Sequence, residues 1–149
     1  MTTGNHYPEA LAGALLQIAR PGAGAAQIYL TESGSLWSRS RSSDGLWQTW
    51  RRQSSSSGSG ANGSWLRLPD GTQICHHSLT PSASAATTWS YPQPFSAAPV
   101  ISGTPQSAVL CGLCLEAAPG LSSASLSLRG VDHARRADPV QLTAIGRWY

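Results

Sequence analysis

The chain has 149 residues, a formal net charge of +3 and only 11% charged residues, less than half of the roughly 25% of an average soluble protein. Only 26 residues are Leu, Ile, Val or Phe, which is few for a core. Six Trp and four Tyr, together with the low net charge, exclude a disordered chain. A chain with so little core material favours burial between copies of itself, so we expect an oligomer.

Several protein classes are excluded by pattern. No segment approaches the roughly 20 apolar residues of a membrane span, and the N-terminus lacks the pattern of a signal peptide, so we expect synthesis in a cytosol and no membrane insertion. All ten cations are Arg and they are scattered, which argues against the basic stripe of a nucleic-acid-binding protein. The three Cys provide no disulfide framework.

The first 53 residues predict a small β-meander. Its strands are expected at residues 13–20, 26–31 and 36–41, separated by the turn signals Pro21-Gly22, Ser33-Gly34 and Asp44-Gly45. The segment Pro8–Leu16 also fits a short helix, because Pro suits a first helical turn and good helix formers follow it. We therefore expect a short helix or a turn that leads into the first strand.

Residues 54–64, SSSSGSGANGS, predict a flexible Gly/Ser linker. Beyond it, residues 65–149 predict a second all-β module that opens with a hairpin around Pro69-Asp70-Gly71. Two later segments, SASLSLRG and VQLTAIGRW, alternate polar and apolar residues as strands with one buried face do. The whole chain is therefore predicted to be all-β, a meander followed by a sandwich-like module.

Catalytic patterns are absent from the sequence. No Ser lies in a G-x-S-x-G turn, which is the pattern of many serine hydrolases. Hydrolysis of glycosides needs a pair of carboxylates, and of the seven acidic residues Asp44 and Asp70 already fit turn positions. We expect no enzyme and no cofactor.

Cys75, His76 and His77, with the Cys111-x-x-Cys114 pair, are the residues from which a metal site would be built. The alternative is that the Cys residues fill a buried strand as small apolar side chains. Neighbouring strand residues point to opposite faces, which works against a shared site, and we expect no metal. An ion held on a threefold axis by one His from each of three chains stays a further alternative.

Trp37, Trp47 and Trp50 are interleaved with Arg39 and other Arg residues. Packing of Trp under Arg in a small core is the favoured interpretation, and a flat platform for carbohydrate is the alternative. Trp148 is placed with the same structural aromatic and Arg group.

Residues 4–52 resemble the small knob modules of bacteriophage and R-type pyocin tail fibres, through Trp37-Ser38-Arg39, Asp44-Gly45 and Trp47-x-x-Trp50-Arg51. The second half is similar to the C-terminal tip domain of such fibres. The segments that carry this likeness are the opening hairpin at 62–75, the segment Trp89-Ser-Tyr91-Pro-Gln-Pro-Phe at the start of 89–101, and the ending Ala-Ile-Gly-Arg-Trp-Tyr149.

The resemblance implies a homotrimeric receptor-binding protein in the tail of a virion or phage-like particle, assembled in the host cytoplasm. Its partners would be other tail or baseplate proteins and a bacterial surface polysaccharide or outer-membrane receptor. Two other roles stay open, a structural adaptor in the tail tip and a polysaccharide-degrading tip enzyme. The resemblance also places Tyr149 near subunit boundaries.

The polar segment GVDHARRADP contains His133, Arg135 and Arg136. A solvated loop is the ordinary interpretation of such a charged run, but guanidinium groups also bind acidic sugars in a fork geometry. The complete set of candidate receptor-binding residues is His133, Arg135, Arg136, Trp89, Tyr91 and Tyr149.

Overall fold

The computed structural model describes residues 7–19, 22 and 24–149. Contacts divide the chain into two compact units, unit 1 (Met1–Ser55) and unit 2 (Ser56–Tyr149). All regular structure in the described residues is β-strand, which confirms the predicted all-β class. The same residues include no helix that is long and apolar enough to cross a bilayer.

Unit 1 is a four-stranded antiparallel meander in which each strand pairs with the next along the chain. Its strands are β1 (Gly13–Ala19), β2 (Ala25–Thr31), β3 (Leu36–Arg41) and β4 (Arg51–Arg52). In β2 the alternate residues Ala25, Gln27, Tyr29 and Thr31 are buried on one face of the sheet. The predicted meander is confirmed, and β4 is a strand that the sequence pattern did not reveal.

The start of unit 1 contains no helix among its described residues. Residues 8–11 form a bend, and β1 begins at Gly13, so the turn alternative is correct and the helix is wrong. Pairing of β1 with β2 explains this outcome, because the ladder runs over all seven residues of β1 and satisfies the backbone groups that point towards β2. The parts of the strand and turn predictions that fall on Arg20 and Pro21 lie outside the described residues.

Unit 2 contains two antiparallel sheets. The five-stranded sheet has the order β5-β6-β7-β13-β9, and in the second sheet β11 pairs with β8, β10 and β12. The strands of the first sheet are β5 (Ser56–Gly60), β6 (Gly63–Arg67), β7 (Thr72–Leu79), β9 (Val100–Pro105) and β13 (Val140–Arg147). Those of the second are β8 (Thr87–Ser90), β10 (Cys111–Leu115), β11 (Ser123–Gly130) and β12 (Arg135–Arg136).

The two sheets of unit 2 share one core, which confirms the predicted sandwich. The alternation predicted for β11 and β13 places Ala124 and Leu126 against Leu142 and Ala144. The remaining buried members of the core are Cys75, Trp89, Tyr91, Phe95 and Val140. The aromatic rings among them meet edge to face, with centroids 5.2 Å apart for Trp89 and Tyr91 and 5.1 Å apart for Tyr91 and Phe95.

The flexible linker predicted at residues 54–64 is wrong for most of its length. Residues 56–60 form β5, which pairs in register with β6 from Ser56–Arg67 to Gly60–Gly63. Strand pairing uses backbone groups that every residue type other than Pro carries, so a Gly/Ser composition does not prevent it. The turn of this hairpin is fixed from the core, because Trp89 Nε1 donates a hydrogen bond of 3.1 Å to the carbonyl oxygen of Asn62.

The turn predicted at Pro69-Asp70-Gly71 joins β6 to β7. Gly71 has a φ of 90°, its N–H donates to the carbonyl of Leu68, and Asp70 Oδ1 accepts from the N–H of Thr72. The end of the chain packs on this turn, since the Trp148 N–H donates to the Gly71 carbonyl and Trp148 Nε1 to that of Leu68.

Candidate functional site

The polar segment singled out in the sequence forms a hairpin, which we call the basic hairpin: β11, the turn 131–134 and β12. Arg129 pairs with Arg135 across it. The turn is closed by backbone hydrogen bonds of 3.0 Å from Gly130 to Ala134 and from His133 to Gly130, and His133 takes a φ of 61°. Histidine adopts this left-handed conformation more readily than most residues, which suits it to the turn position.

Glu116, directly after β10, is the centre of an ionic network at the base of the basic hairpin. Its Oε1 accepts a hydrogen bond of 2.5 Å from Ser127 Oγ and forms salt bridges of 2.9 Å to Arg129 and 3.1 Å to Arg135. These contacts, first the Ser127 hydroxyl and then the two guanidinium groups, lower the pKa of Glu116 to about 2. Glu116 is therefore ionised at neutral pH and holds both Arg side chains in place.

Arg136 completes the positive charge of the basic hairpin. It forms a 3.5 Å salt bridge with Asp132, whose side chain is 55% exposed. Arg129 also donates from Nη1 to the carbonyl of His133, at 3.0 Å. Three guanidinium groups thus pair with two carboxylates. The Nε atoms of Arg135 and Arg136 are buried and have no hydrogen-bond partner among the described residues. The hairpin therefore keeps a surplus positive charge.

The hairpin contains functional candidates that sequence reasoning missed. Arg129 lies at the end of an alternating strand pattern, and Glu116 lies 13 residues before it along the chain. Only the pairing of β10 with β11, and of β11 with the two-residue strand β12, brings these side chains to Arg135. No periodic signal marks so short a strand as β12.

The other candidate receptor-binding residues are not part of the hairpin. Trp89 and Tyr91 are 1% and 6% exposed, so their rings fill the core and have no face free to stack on a ligand. Burial also raises the pKa of Tyr91 to about 12. Tyr149 is 61% exposed, but it contacts the turn between β6 and β7, where its hydroxyl donates 3.0 Å to the Pro69 carbonyl.

The Trp and Arg residues of unit 1 form a stacked group. The Arg39 guanidinium lies 4.6 Å from the ring centroid of Trp47 and 4.5 Å from that of Trp50, and Arg52 lies 5.8 Å from that of Trp37. Burial lowers the pKa of Arg39. The three Trp residues are half-buried.

Trp148, which was grouped with these residues, belongs instead to unit 2. There the Arg67 guanidinium lies 5.2 Å from the ring of Trp148 and 5.4 Å from that of Trp65. The common Trp and Arg composition therefore reflects two separate stacks, one in each unit.

The candidate metal ligands are spread over unit 2. Cys75 is buried in the core, where desolvation raises the pKa of its thiol, and His77 stacks on Trp89 at 6.2 Å, where burial lowers the pKa of the imidazole. His76 is exposed, and Cys111 and Cys114 lie on β10 in the other sheet. Within the described ranges, no three His, Cys, Asp or Glu side chains come together in a group that suits a metal ion.

The fold is similar to that of solved pyocin tail fibres. Against the C-terminal part of the P. aeruginosa R2 pyocin fibre the TM-score is 0.50 at 17% sequence identity, over 95% of this chain and 58% of that one. Against an N-truncated R2-type pyocin tail fibre the TM-score is 0.50 at 17% identity, over 95% of this chain and 85% of that one. This chain has the fold of an R-type pyocin tail fibre.

The likeness to pyocin fibres covers both units of this chain, but the chain spans little more than half of the longer R2 fibre structure, 58% of it. No family model matches the sequence, and no curated protein matches it. The pyocin-fibre fold therefore rests on the arrangement of strands rather than on sequence identity.

Proposed function

We propose that the chain is a tail-fibre protein that attaches a phage or pyocin-like particle to bacteria by binding an acidic glycan of the cell surface. The observation that carries this proposal is the basic hairpin of a pyocin-fibre fold, where Arg129 and Arg135 lie on one face and Arg136 on the other, with only two carboxylates to neutralise the three charges. The role is binding, without catalysis.

Guanidinium groups suit the carboxylate and phosphate groups of bacterial polysaccharides. A guanidinium has five N–H donors in a planar fork and binds such anions in bidentate geometry. The salt bridges at the hairpin occupy a minority of these donors, and the three Arg side chains are 26–33% exposed. Glu116 and Asp132 fix the positions of the guanidinium groups in advance, which reduces the entropy lost on binding.

Assembly strengthens a site of this kind. In a homotrimer, three hairpins bind one repetitive polysaccharide, and each contact after the first is intramolecular, so avidity exceeds the affinity of a single site. The proposal therefore includes a homotrimer and other tail or baseplate proteins that hold it on the particle. A host outer-membrane receptor is the protein alternative to the glycan.

Binding of the purified full chain to alginate, a uronate polymer, tests the proposal, with neutral dextran for comparison. We expect retention on alginate only, weakened by salt. Arg136→Gln removes a guanidinium of the hairpin and should lower the affinity about threefold to tenfold. Arg51→Gln is the matched control, because it removes the same charge from the other two-residue strand, β4.

Equal losses in the Arg136 and Arg51 variants would mean that net charge alone drives retention, which contradicts the hairpin as the site. Adsorption of the wild-type chain to whole bacteria is the second measurement. A chain that binds neither cells nor alginate would support the structural adaptor role in the tail tip. Loss of alginate viscosity during incubation would support the enzymatic role.

A further inference from the structure

Three turns of the chain contain an acidic or amide residue followed by glycine: Asp44-Gly45, Asn62-Gly63 and Asp70-Gly71. In each of them the glycine has a positive φ, between 85° and 112°. Glycine has no Cβ to shield its backbone nitrogen, so this nitrogen can approach the Cγ carbon of the preceding side chain. The surroundings of each side chain decide which of the three turns is open to this attack.

The side chains of Asp44 and Asp70 are held by hydrogen bonds within their own turns. Asp44 Oδ1 accepts from the hydroxyl of Ser42 and, at 3.2 Å, from the N–H of Leu46. Asp70 Oδ1 accepts from the N–H of Thr72 at 2.8 Å. These hydrogen bonds lower the pKa of both carboxyl groups, so both are ionised at neutral pH. An ionised carboxylate is a poor electrophile, and these two turns are therefore chemically stable.

The side chain of Asn62, in the turn between β5 and β6, has no such restraint. The residue is exposed, and its side-chain amide forms no hydrogen bond with any described residue. Its main-chain carbonyl accepts from Trp89 Nε1 at 3.1 Å, so the backbone is anchored while the side chain is free. Asparagine is a thermolabile residue, because its neutral amide is a better electrophile than a carboxylate.

The fold requires glycine directly after Asn62. Gly63 has a φ of 112°, and an added Cβ would overlap the carbonyl oxygen of His76. No side chain can therefore shield the nitrogen at this position. The nitrogen reaches Cγ of Asn62 when the turn opens transiently. Such opening costs little free energy here, because β5 is an edge strand without an apolar side chain.

We propose that Asn62 is a site of spontaneous deamidation. The Gly63 nitrogen loses its proton to hydroxide and attacks Cγ of Asn62, so that a C–N bond closes a succinimide ring. The Cγ–Nδ2 bond breaks, and the amide nitrogen leaves as ammonia. Water then opens the ring at one of its two carbonyl carbons, which gives either aspartate or isoaspartate. The sum is one water consumed and one ammonia released, and no oxidant or reductant is needed.

Isoaspartate at position 62 should loosen the hairpin. The main chain then runs through Cβ and Cγ, which adds one backbone atom to a turn of two residues between Gly60 and Gly63. The carbonyl that accepts from Trp89 becomes a carboxylate on a branch. Gly63 lies too close to His76 to absorb the extra atom by shifting. Part of the pairing between β5 and β6 should be lost, and this consequence does not depend on the proposed function.

Incubation of the purified full chain at pH 7 and pH 9, followed by peptide mass mapping, tests the proposal. We expect Asn62 to convert with the mass gain of deamidation, faster at pH 9 because hydroxide removes the Gly63 proton. Asn5 is the other asparagine of the chain and is followed by His6, so it should convert more slowly. Labelling by an isoaspartate methyltransferase should mark position 62 and leave Asp44 and Asp70 unmarked.

Two variants separate the chemistry from its structural effect. Asn62→Gln should stop the conversion at this position, because the longer side chain would have to close a six-membered ring. Asn62→Asp carries the charge of the product on a normal backbone, so the fresh variant should keep the amide exchange of β5. The isoaspartate form, isolated by ion exchange, should exchange about tenfold faster in β5, as expected for the loss of one hydrogen bond. Unchanged exchange in that form would contradict the loosening.

Two outcomes would overturn the deamidation site itself. One is an Asn62 that stays intact in the folded chain while it converts in urea, which would mean that the hairpin protects it. The other is conversion of Asn5 and Asn62 at the same rate, which would mean that Gly63 and the turn contribute nothing. Neither outcome affects the alginate experiment, so failure of this site and failure of the basic hairpin are distinguishable.

Discussion

At the scale of single residues, Glu116 contributes more to the candidate site than its position in the sequence suggests. One carboxylate oxygen accepts contacts from Ser127, Arg129 and Arg135. The same contacts that neutralise part of the positive charge also fix the geometry of the remaining donors. An acidic residue therefore positions a site that is proposed to bind acids.

The lowered pKa of Glu116 makes the stability of the hairpin depend on acid pH. Because the folded pKa of about 2 is below the ordinary 4.5, the stabilisation is complete above pH 4.5 and is lost as the pH falls from 4.5 towards 2. Amide exchange of β11 measured between pH 5 and 3 should show this loss, after correction for the intrinsic exchange rate. Glu116→Gln should remove most of the dependence, and an unchanged slope in this variant would contradict the network.

The lowered pKa of the His77 imidazole, which stacks on the core residue Trp89, predicts a second pH effect in unit 2. Burial and the nearby His76 lower its pKa below 6.5, so the neutral form is favoured in the folded chain. The contribution of the neutral His77 imidazole to stability is complete above pH 6.5 and is lost as the pH falls below this value. Urea unfolding followed at pH 7.5 and 5.5 should show this decline, and His77→Gln should reduce it.

Replacement of Gly71 in the β6–β7 turn should destabilise the fold. It has a φ of 90°, and an added Cβ would lie 2.7 Å from Arg147 Nη2 and 2.9 Å from the Tyr149 ring. Gly71→Ala should therefore lower the free energy of unfolding by about 1–2 kcal/mol, measured in urea. Gly112→Ala is the control, since an added Cβ there meets nothing within 4 Å. Equal stability of the two variants would contradict the packing of the chain end on this turn.

At the scale of elements, backbone pairing explains why β5 forms from a Gly/Ser segment. The strand contributes no apolar side chain, yet it pairs with β6 along its whole length and covers the edge of that strand. The hairpin of β11 and β12 is similar in this respect, because two Arg residues pair as a strand at the edge of the second sheet. Both elements are therefore held at the edge of a sheet by backbone pairing.

Substitution of the two glycines in β5 tests whether residues 56–60 form a strand or a flexible linker. An added Cβ at Gly58 would lie 2.8 Å from Trp65 Nε1, whereas one at Gly60 would meet nothing within 4 Å. Gly58→Ala should lower the free energy of unfolding of unit 2 by about 1–3 kcal/mol, because the Trp65 ring must move. Gly60→Ala should be neutral or slightly stabilising. Two neutral substitutions would indicate that residues 56–60 are flexible after all.

At the scale of the whole molecule, unit 1 leaves an apolar sheet face open to solvent. Leu16, Ile18 and Leu30 lie on one face and are 47–57% exposed, and all seven residues of β1 are exposed. Such an edge strand without charges is uncommon in a monomer, because it invites pairing with another chain. Under the proposed function, copies of the chain cover this face in a homotrimer.

Sedimentation equilibrium tests this arrangement. The wild type should have three times the 15.6 kDa mass of one chain. Leu16→Glu should shift it towards the monomer, because a charge in a buried interface loses its hydration. Leu46→Glu is the control, since Leu46 is 65% exposed in a turn of the same unit. A monomeric wild type would contradict the homotrimer.

Local patterns in the sequence determined the all-β class, most of the strands and the turn at Gly71. Period-two alternation in β11 and β13 and the turn residues act over a few positions, so they are visible in the chain itself. In these two strands they also predicted the residues that face the core, although Ser127 on the other face of β11 is buried as well.

Only the tertiary structure decided what each chemically active residue contacts. Trp89 and Tyr91 look equally suited to a binding surface and to a core, and the packing of two sheets placed them in the core. The Glu116 network arises from pairing between strands. Such contacts depend on strand register and on the order of strands in each sheet. Both are set by backbone hydrogen bonds across the whole fold, and these bonds depend little on residue type.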